Sequence, residues 1–195
     1  MTKLIIGLGN PGREYEGTRH NVGFQTLDAL ADKWRVHYKT KRKFAAAIAE
    51  AKRGEATVVL AKPLTFMNRS GEAVAALRAW YKCEPRQVTV VFDDADLPLG
   101  QLRVRGSGSS GGHRGMQSVI DSLGADDVPR VRLGIGRRVG ERGDLVDHVL
   151  SRFDDDEAKQ AEAMVNKAAE AVESLNERGL QSTMNLFNTR TKEAE

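Results

Sequence analysis

The 195-residue sequence predicts an α/β sandwich, a mixed, mostly parallel twisted sheet flanked by helices. Three observations lead there. Short β-branched runs such as Val88–Phe92 read as buried central strands. They alternate with segments whose apolar residues recur at helical spacing. No fixed-period repeat and no Pro/Ser-rich linker interrupts the chain, so residues 1–190 read as one domain and 191–195 as a short polar tail.

In order along the chain, Lys3–Leu8 is a buried strand that stops at the turn Gly9-Asn10-Pro11-Gly12. A helix follows over His20–Trp34, from the spacing of Val22, Phe24, Leu27, Leu30 and Trp34. Phe44–Lys52 and Thr57–Leu60 pair as a hairpin across Arg53-Gly54-Glu55, and Pro63 forbids further pairing. Ser70–Tyr81 is a helix, Val88–Phe92 a central strand and Leu102–Arg105 a short alternating one. Met116–Leu123 is helical, Val131–Ile135 a strand, and Leu145–Val149 a candidate short strand. Asp154–Arg178 is a long amphipathic helix whose opening aspartates suit its positive N-terminus.

Composition narrows the function classes. Apolar residues make up 40% and charged residues 29%, as in an ordinary globular protein. The apolar runs are too short for a helix to span a bilayer. A strand begins within three residues of Met1, so no secretory signal is expected. The single Cys83 excludes an internal disulfide and a cysteine metal cluster, and the expected setting is the cytoplasm. The net charge of +3 divides into +7 over residues 1–150 and −4 over 151–195. Such a basic field suits a polyanionic partner, solvated surface charge being the alternative.

Gly7-Leu8-Gly9-Asn10-Pro11-Gly12 has the glycine spacing of a dinucleotide fingerprint. In that fold the helix opens on the glycines and an acid ends the second strand. Here the helical pattern waits until His20, and Asp32 falls inside it, which disfavours a nicotinamide-dependent oxidoreductase. What remains is a tight turn presenting Asn10 at a strand's carboxyl end, where open α/β sheets bind ligands. His20, in Thr18-Arg19-His20-Asn21, is either a cap or a base at a helix start. Asp93 ends the most buried strand at the same sheet edge, and a carboxylate accepting from one imidazole nitrogen frees the other to deprotonate water. Asp93, Asp94 and Asp96 offer a divalent cation too few further ligands, so no metal is assigned.

Phe66, Met67 and Asn68 fall in a connecting loop, as core plugs or as an apolar floor beside an amide. Gly106–Gly115 is rich in backbone donors but lacks the P-loop ending, and reads as a lid or anion-contacting loop beside Arg103 and Arg105.

Together, Gly7-Leu8-Gly9-Asn10-Pro11-Gly12, Thr18-Arg19-His20-Asn21, Lys62-Pro63-Leu64-Thr65-Phe66-Met67-Asn68, Asp93-Asp94-Ala95-Asp96-Leu97-Pro98, Gly111-Gly112-His113 and Arg132-Leu133-Gly134-Ile135-Gly136 resemble bacterial peptidyl-tRNA hydrolase, in order from about Leu4 to Phe187. The resemblance implies hydrolysis of the ester joining a peptide, or an N-blocked aminoacyl group, to the 3′ ribose of tRNA. It also implies a monomer without cofactor. Carried over, His20 is the base, Asp93 orients it, and Asn10 favours an N-blocked peptide over a free amino group. Tyr15, Phe66 and Asn68 contact substrate, Met67 lies along the peptide groove and His113 flanks it. Arg103, Arg105 and Arg132 hold tRNA phosphates. The family usually has asparagine where this chain has Arg114. Arginine cannot accept a hydrogen bond, so Arg114 is expected to donate to a substrate phosphate or carbonyl. Non-hydrolysing relatives of the family keep open an RNA-binding module without turnover.

Overall fold

The computed structural model describes residues 1–137 and 145–188, so the expected tail 191–195 lies outside the described residues. Seven strands form one sheet: β1 (Thr2–Gly7), β2 (Lys39–Lys41), β3 (Ala46–Arg53), β4 (Ala56–Pro63), β5 (Val88–Asp94), β6 (Leu102–Arg105) and β7 (Arg130–Gly134). Their spatial order is β2-β3-β4-β1-β5-β7-β6. β4, β1, β5 and β7 run parallel, while β2, β3 and β6 are antiparallel to their neighbours. The helices are α1 (Val22–Trp34), α2 (Ser70–Tyr81), α3 (Arg114–Leu123), α4 (Leu145–Leu150), α5 (Asp155–Arg178) and α6 (Leu180–Phe187).

Strand alternation divides the core into two layers. Leu4 and Ile6 of β1 pack with Val74, Leu77, Met116 and Val119 under α2 and α3. Ile5 packs with Leu27, Leu30, Val165 and Ala168 under α1 and α5. β1 and β5 end side by side near the sheet's centre, between α1 on one face and α2 and α3 on the other, and the carboxyl ends of such strands are where open sheets bind ligands.

Gly23 lets α1 lie on backbone. A Cβ there would stand 2.4 Å from the Val91 carbonyl oxygen and 2.6 Å from the Leu8 nitrogen. A Cβ on Gly7 would meet the Gly23 oxygen at 2.4 Å. The glycine pattern after β1 thus serves helix–strand packing, and a 3₁₀ turn, Arg13–Tyr15, follows it instead of a phosphate-binding helix.

Several expectations change. Leu145–Val149 is helical, in α4, rather than a strand. His20 sits on a 3₁₀ turn, Arg19–Asn21, ahead of α1 instead of in its first turn. Asp93 belongs to β5, which runs two residues beyond Phe92. β4 extends to Pro63, whose pairing with Ala46 is its last rung. β2 and α6 were not expected: β2 is three exposed polar residues, and α6 follows Gly179 directly after α5.

Candidate active site

Asn10, His20, Asp93 and His113 meet over the carboxyl ends of β1 and β5, in a cleft of about 490 Å³. Asp93 is buried, with 3% of its side chain exposed. Its two oxygens each lie 2.9 Å from His20 Nδ1. His113 Nε2 also lies 2.9 Å from Oδ1. His113 caps α3, and its Nδ1 accepts the Met116 N–H at 3.1 Å. A ring that accepts at Nδ1 carries its proton on Nε2, so His113 donates to Asp93. His20 likewise donates from Nδ1, which leaves its Nε2 as a lone pair in the cleft. Burial alone would raise the Asp93 carboxyl pKa. The His113 and His20 N–H groups outweigh that and hold it well below the usual carboxylate range.

The ligand-type atoms of His20, Asp93 and His113 lie within 4.8 Å of one another. A cation on His113 Nε2 would have to displace the proton that the Met116 amide fixes there, so the set fits a hydrogen-bonded relay better than a metal site.

Asn10 is 8% exposed and oriented on three sides. Its N–H donates to Asn21 Oδ1 at 2.9 Å, and its carbonyl accepts from Asn21 Nδ2 at 3.0 Å. Its side-chain oxygen accepts the Met67 N–H at 2.8 Å. That contact fixes which way the amide faces and leaves its Nδ2 hydrogens as donors. Met67 unites both expectations for it, being 5% exposed in the core while lining the cleft. Phe66 forms the cleft's lip at 58% exposure, and Asn68 is an exposed amide beside it. Tyr15 stands on the 3₁₀ turn Arg13–Tyr15 and is not among the lining residues.

The charged rim is partly self-neutralised. Arg132 pairs with Asp94, and Arg137 Nη2 with Asp96 at 2.8 Å. The three aspartates thus serve different partners, Asp93 two histidines and Asp94 and Asp96 one arginine each. Arg114, at the start of α3, lines the cleft and is exposed. Arg103 and Arg105 lie outside the cleft on β6, in register with Arg132 and Arg130 of β7, so all four share one face of the sheet's edge. Arg130 turns inward. It donates to the carbonyls of Gly108 at 2.7 Å, Ser109 at 2.8 Å, Asp126 at 2.9 Å and Val128 at 3.0 Å. The glycine-rich loop is therefore seated on a buried guanidinium.

Asn21, Arg130, Arg137 and the α4 wall of Leu145, Val146, Val149 and Leu150 were not singled out from the sequence for these positions. Asn21 carried one usable signal, an amide next to His20 at the residue just before α1. The wall carried a weak one, apolar residues at i, i+1, i+4 and i+5 as on a helix, but over only six residues.

A family model described as Peptidyl-tRNA hydrolase matches residues 4–195. The peptidyl-tRNA hydrolase of Caldanaerobacter subterraneus subsp. tengcongensis is 50% identical over 185 residues, spanning 95% of this chain and 98% of that protein. That of Synechococcus sp. strain JA-3-3Ab is 48% identical over 186 residues, 95% of this chain and 82% of that protein. The crystal structure of peptidyl-tRNA hydrolase from Acinetobacter baumannii superposes with a TM-score of 0.90 at 32% identity, covering 96% of this chain and 95% of that one.

Proposed function

The chain belongs to the peptidyl-tRNA hydrolase family, and we propose that His20 is the general base of its reaction, with Asp93 and His113 holding the imidazole in the tautomer the reaction needs. The reaction is hydrolysis of the ester between a peptide and the 3′ ribose of tRNA. The observation that carries the assignment is the bond from His20 Nδ1 to both Asp93 oxygens, which leaves Nε2 directed to the cleft.

Water held at Nε2 gives that nitrogen a proton as its oxygen bonds the ester carbonyl carbon. The tetrahedral adduct then expels the ribose 3′ oxygen, which takes the proton back from His20. A peptide acid and a tRNA with a free 3′ hydroxyl leave. Asp93 stabilises the transient imidazolium without itself being protonated. Asn10 Nδ2 donates to a carbonyl of the bound peptide. A free α-ammonium carries only donors, so the same amide disfavours an unblocked aminoacyl-tRNA. Phe66, Met67 and Asn68 border the peptide, while Arg103, Arg105 and Arg132 hold tRNA phosphates, Arg132 with its charge already offset by Asp94. Membership of the family is what supports the further reading of a monomer working in the cytoplasm. No described helix is long and apolar enough to cross a membrane.

The test is turnover of N-acetylated aminoacyl-tRNA beside the unblocked form. His20→Ala should lower kcat by about 10²-fold or more while tRNA affinity persists. Near wild-type turnover in that variant would overturn the assignment.

A further inference from the structure

Arg19, next to His20 in sequence, has a fully buried guanidinium. Its Nε donates to Ser151 Oγ at 3.2 Å, and its Nη1 to Glu157 Oε1 at 3.2 Å. Nη2 closes the fork on Glu157 Oε2, and the plane lies 4.6 Å over the Phe153 ring. The Arg19 backbone N–H donates to the Ser151 carbonyl at 2.9 Å, and Thr18 bridges to Arg152. The segment between α4 and α5 is thereby stapled to the turn that carries His20.

α4 is six residues long, too short to keep its place by helical cooperativity, yet it presents Leu145, Val146, Val149 and Leu150 to the cleft. Glu157, for its part, also accepts the Asp154 N–H at 3.0 Å in the capping box that opens α5. A buried ion pair is a poor source of net stability compared with apolar packing, but its forked geometry fixes orientation well. We propose that Arg19 is a positioning residue, which through Ser151 and Glu157 holds the α4 wall of the cleft at a set distance from His20.

This rests on the hydrolase reading of the same cleft, and the chemistry and the wall separate kinetically. His20 is seated independently on Asp93, so loosening the wall acts on substrate binding rather than on proton transfer. Glu157→Gln keeps an oxygen for the α5 cap while removing the charge that faces Arg19. Arg19→Lys keeps the charge but loses the fork and the stacking on Phe153.

At a temperature where circular dichroism shows both variants folded, KM for N-acetylated aminoacyl-tRNA should rise about fivefold or more in each, as preorganisation of the wall is lost, with kcat within about twofold of wild type. The double variant should fall short of the product of the two effects, because the residues act as one contact. A lowered melting temperature with KM unchanged would overturn the proposal, since a purely structural pair behaves that way. So would a fall in kcat with KM unchanged. Should Arg19→Lys fail to fold, Glu157→Gln decides alone. An inert wild-type protein would instead strike at the hydrolase reading, so the two failures are distinguishable.

Discussion

Two histidines share one carboxylate, and the sharing settles which nitrogen of each carries a proton. Both rings reach Oδ1 and His20 alone also reaches Oδ2, so an asparagine at position 93 that keeps Oδ1 turns its NH₂ toward the His20 Nδ1–H, which presses His20 to rotate or change tautomer. Asp93→Asn should therefore lower kcat on the order of 10²–10⁴-fold, as when a carboxylate orienting a catalytic histidine is neutralised. Adding it to His20→Ala should cost little more, because the two act as a unit. The same residue sets an acid limit on stability. Its folded-state pKa is depressed, so its contribution is present above the unfolded value of about 4 and is lost as pH falls through the folded one. The gap in melting temperature between wild type and Asp93→Asn should narrow below about pH 4, and a gap constant from pH 7 to 3 would contradict the depression.

At the scale of elements, the His20 turn depends on how closely α1 approaches the sheet. Gly23→Ala would drive a Cβ into the backbone of Val91 and Leu8, neither of which can swing aside as a side chain can. The helix must lift, at a cost of about 1–3 kcal/mol by overpacking, and carry the His20 turn with it. Chemical denaturation should show the loss, and kcat should fall along with it. The long elements were legible in the sequence for the same physical reason that they are stable. β5 is a β-branched run buried along its whole length, and α2 runs from Ser70 to Tyr81 as its spacing predicts. α4 departs from the expected strand because its apolar residues stand at i, i+1, i+4 and i+5, a helical spacing carried by only six residues, and its packing against the His20 turn settles the helix. The meeting of Asp93 with His20 was legible, because the end of a buried strand and a helix start fall at one edge of the sheet. The contacts of Asn21 and Arg19 were not, since hydrogen bonds to residues far along the chain leave no spacing in the sequence.

At the scale of the molecule, the charge asymmetry becomes a surface. The basic first 150 residues supply Arg103, Arg105, Arg130 and Arg132 to one face of the β6–β7 edge, while the acidic remainder builds α5 and α6, beneath the sheet's other face. The four arginines are not equivalent toward a polyanion. Arg130 spends its donors on loop carbonyls, and Arg132 is paired with Asp94. Arg103 and Arg105 are left to supply most of the field. Arg103→Gln and Arg105→Gln should each raise KM with kcat largely intact, and each should reduce the salt slope of tRNA binding by roughly one phosphate's worth. Arg132→Gln differs in kind, because it leaves the Asp94 carboxylate, 8% exposed, without its cation beside the cleft. That unpaired, buried negative charge beside the cleft repels the same phosphates, so KM should rise more than for either β6 arginine, and Asp94→Asn added to Arg132→Gln should recover part of the loss. Titrating tRNA binding against salt for the four single and double variants checks the order. If the Asp94→Asn change worsens binding in the Arg132→Gln background, the Arg132–Asp94 pair is serving the fold of β7 rather than the charge of the tRNA surface.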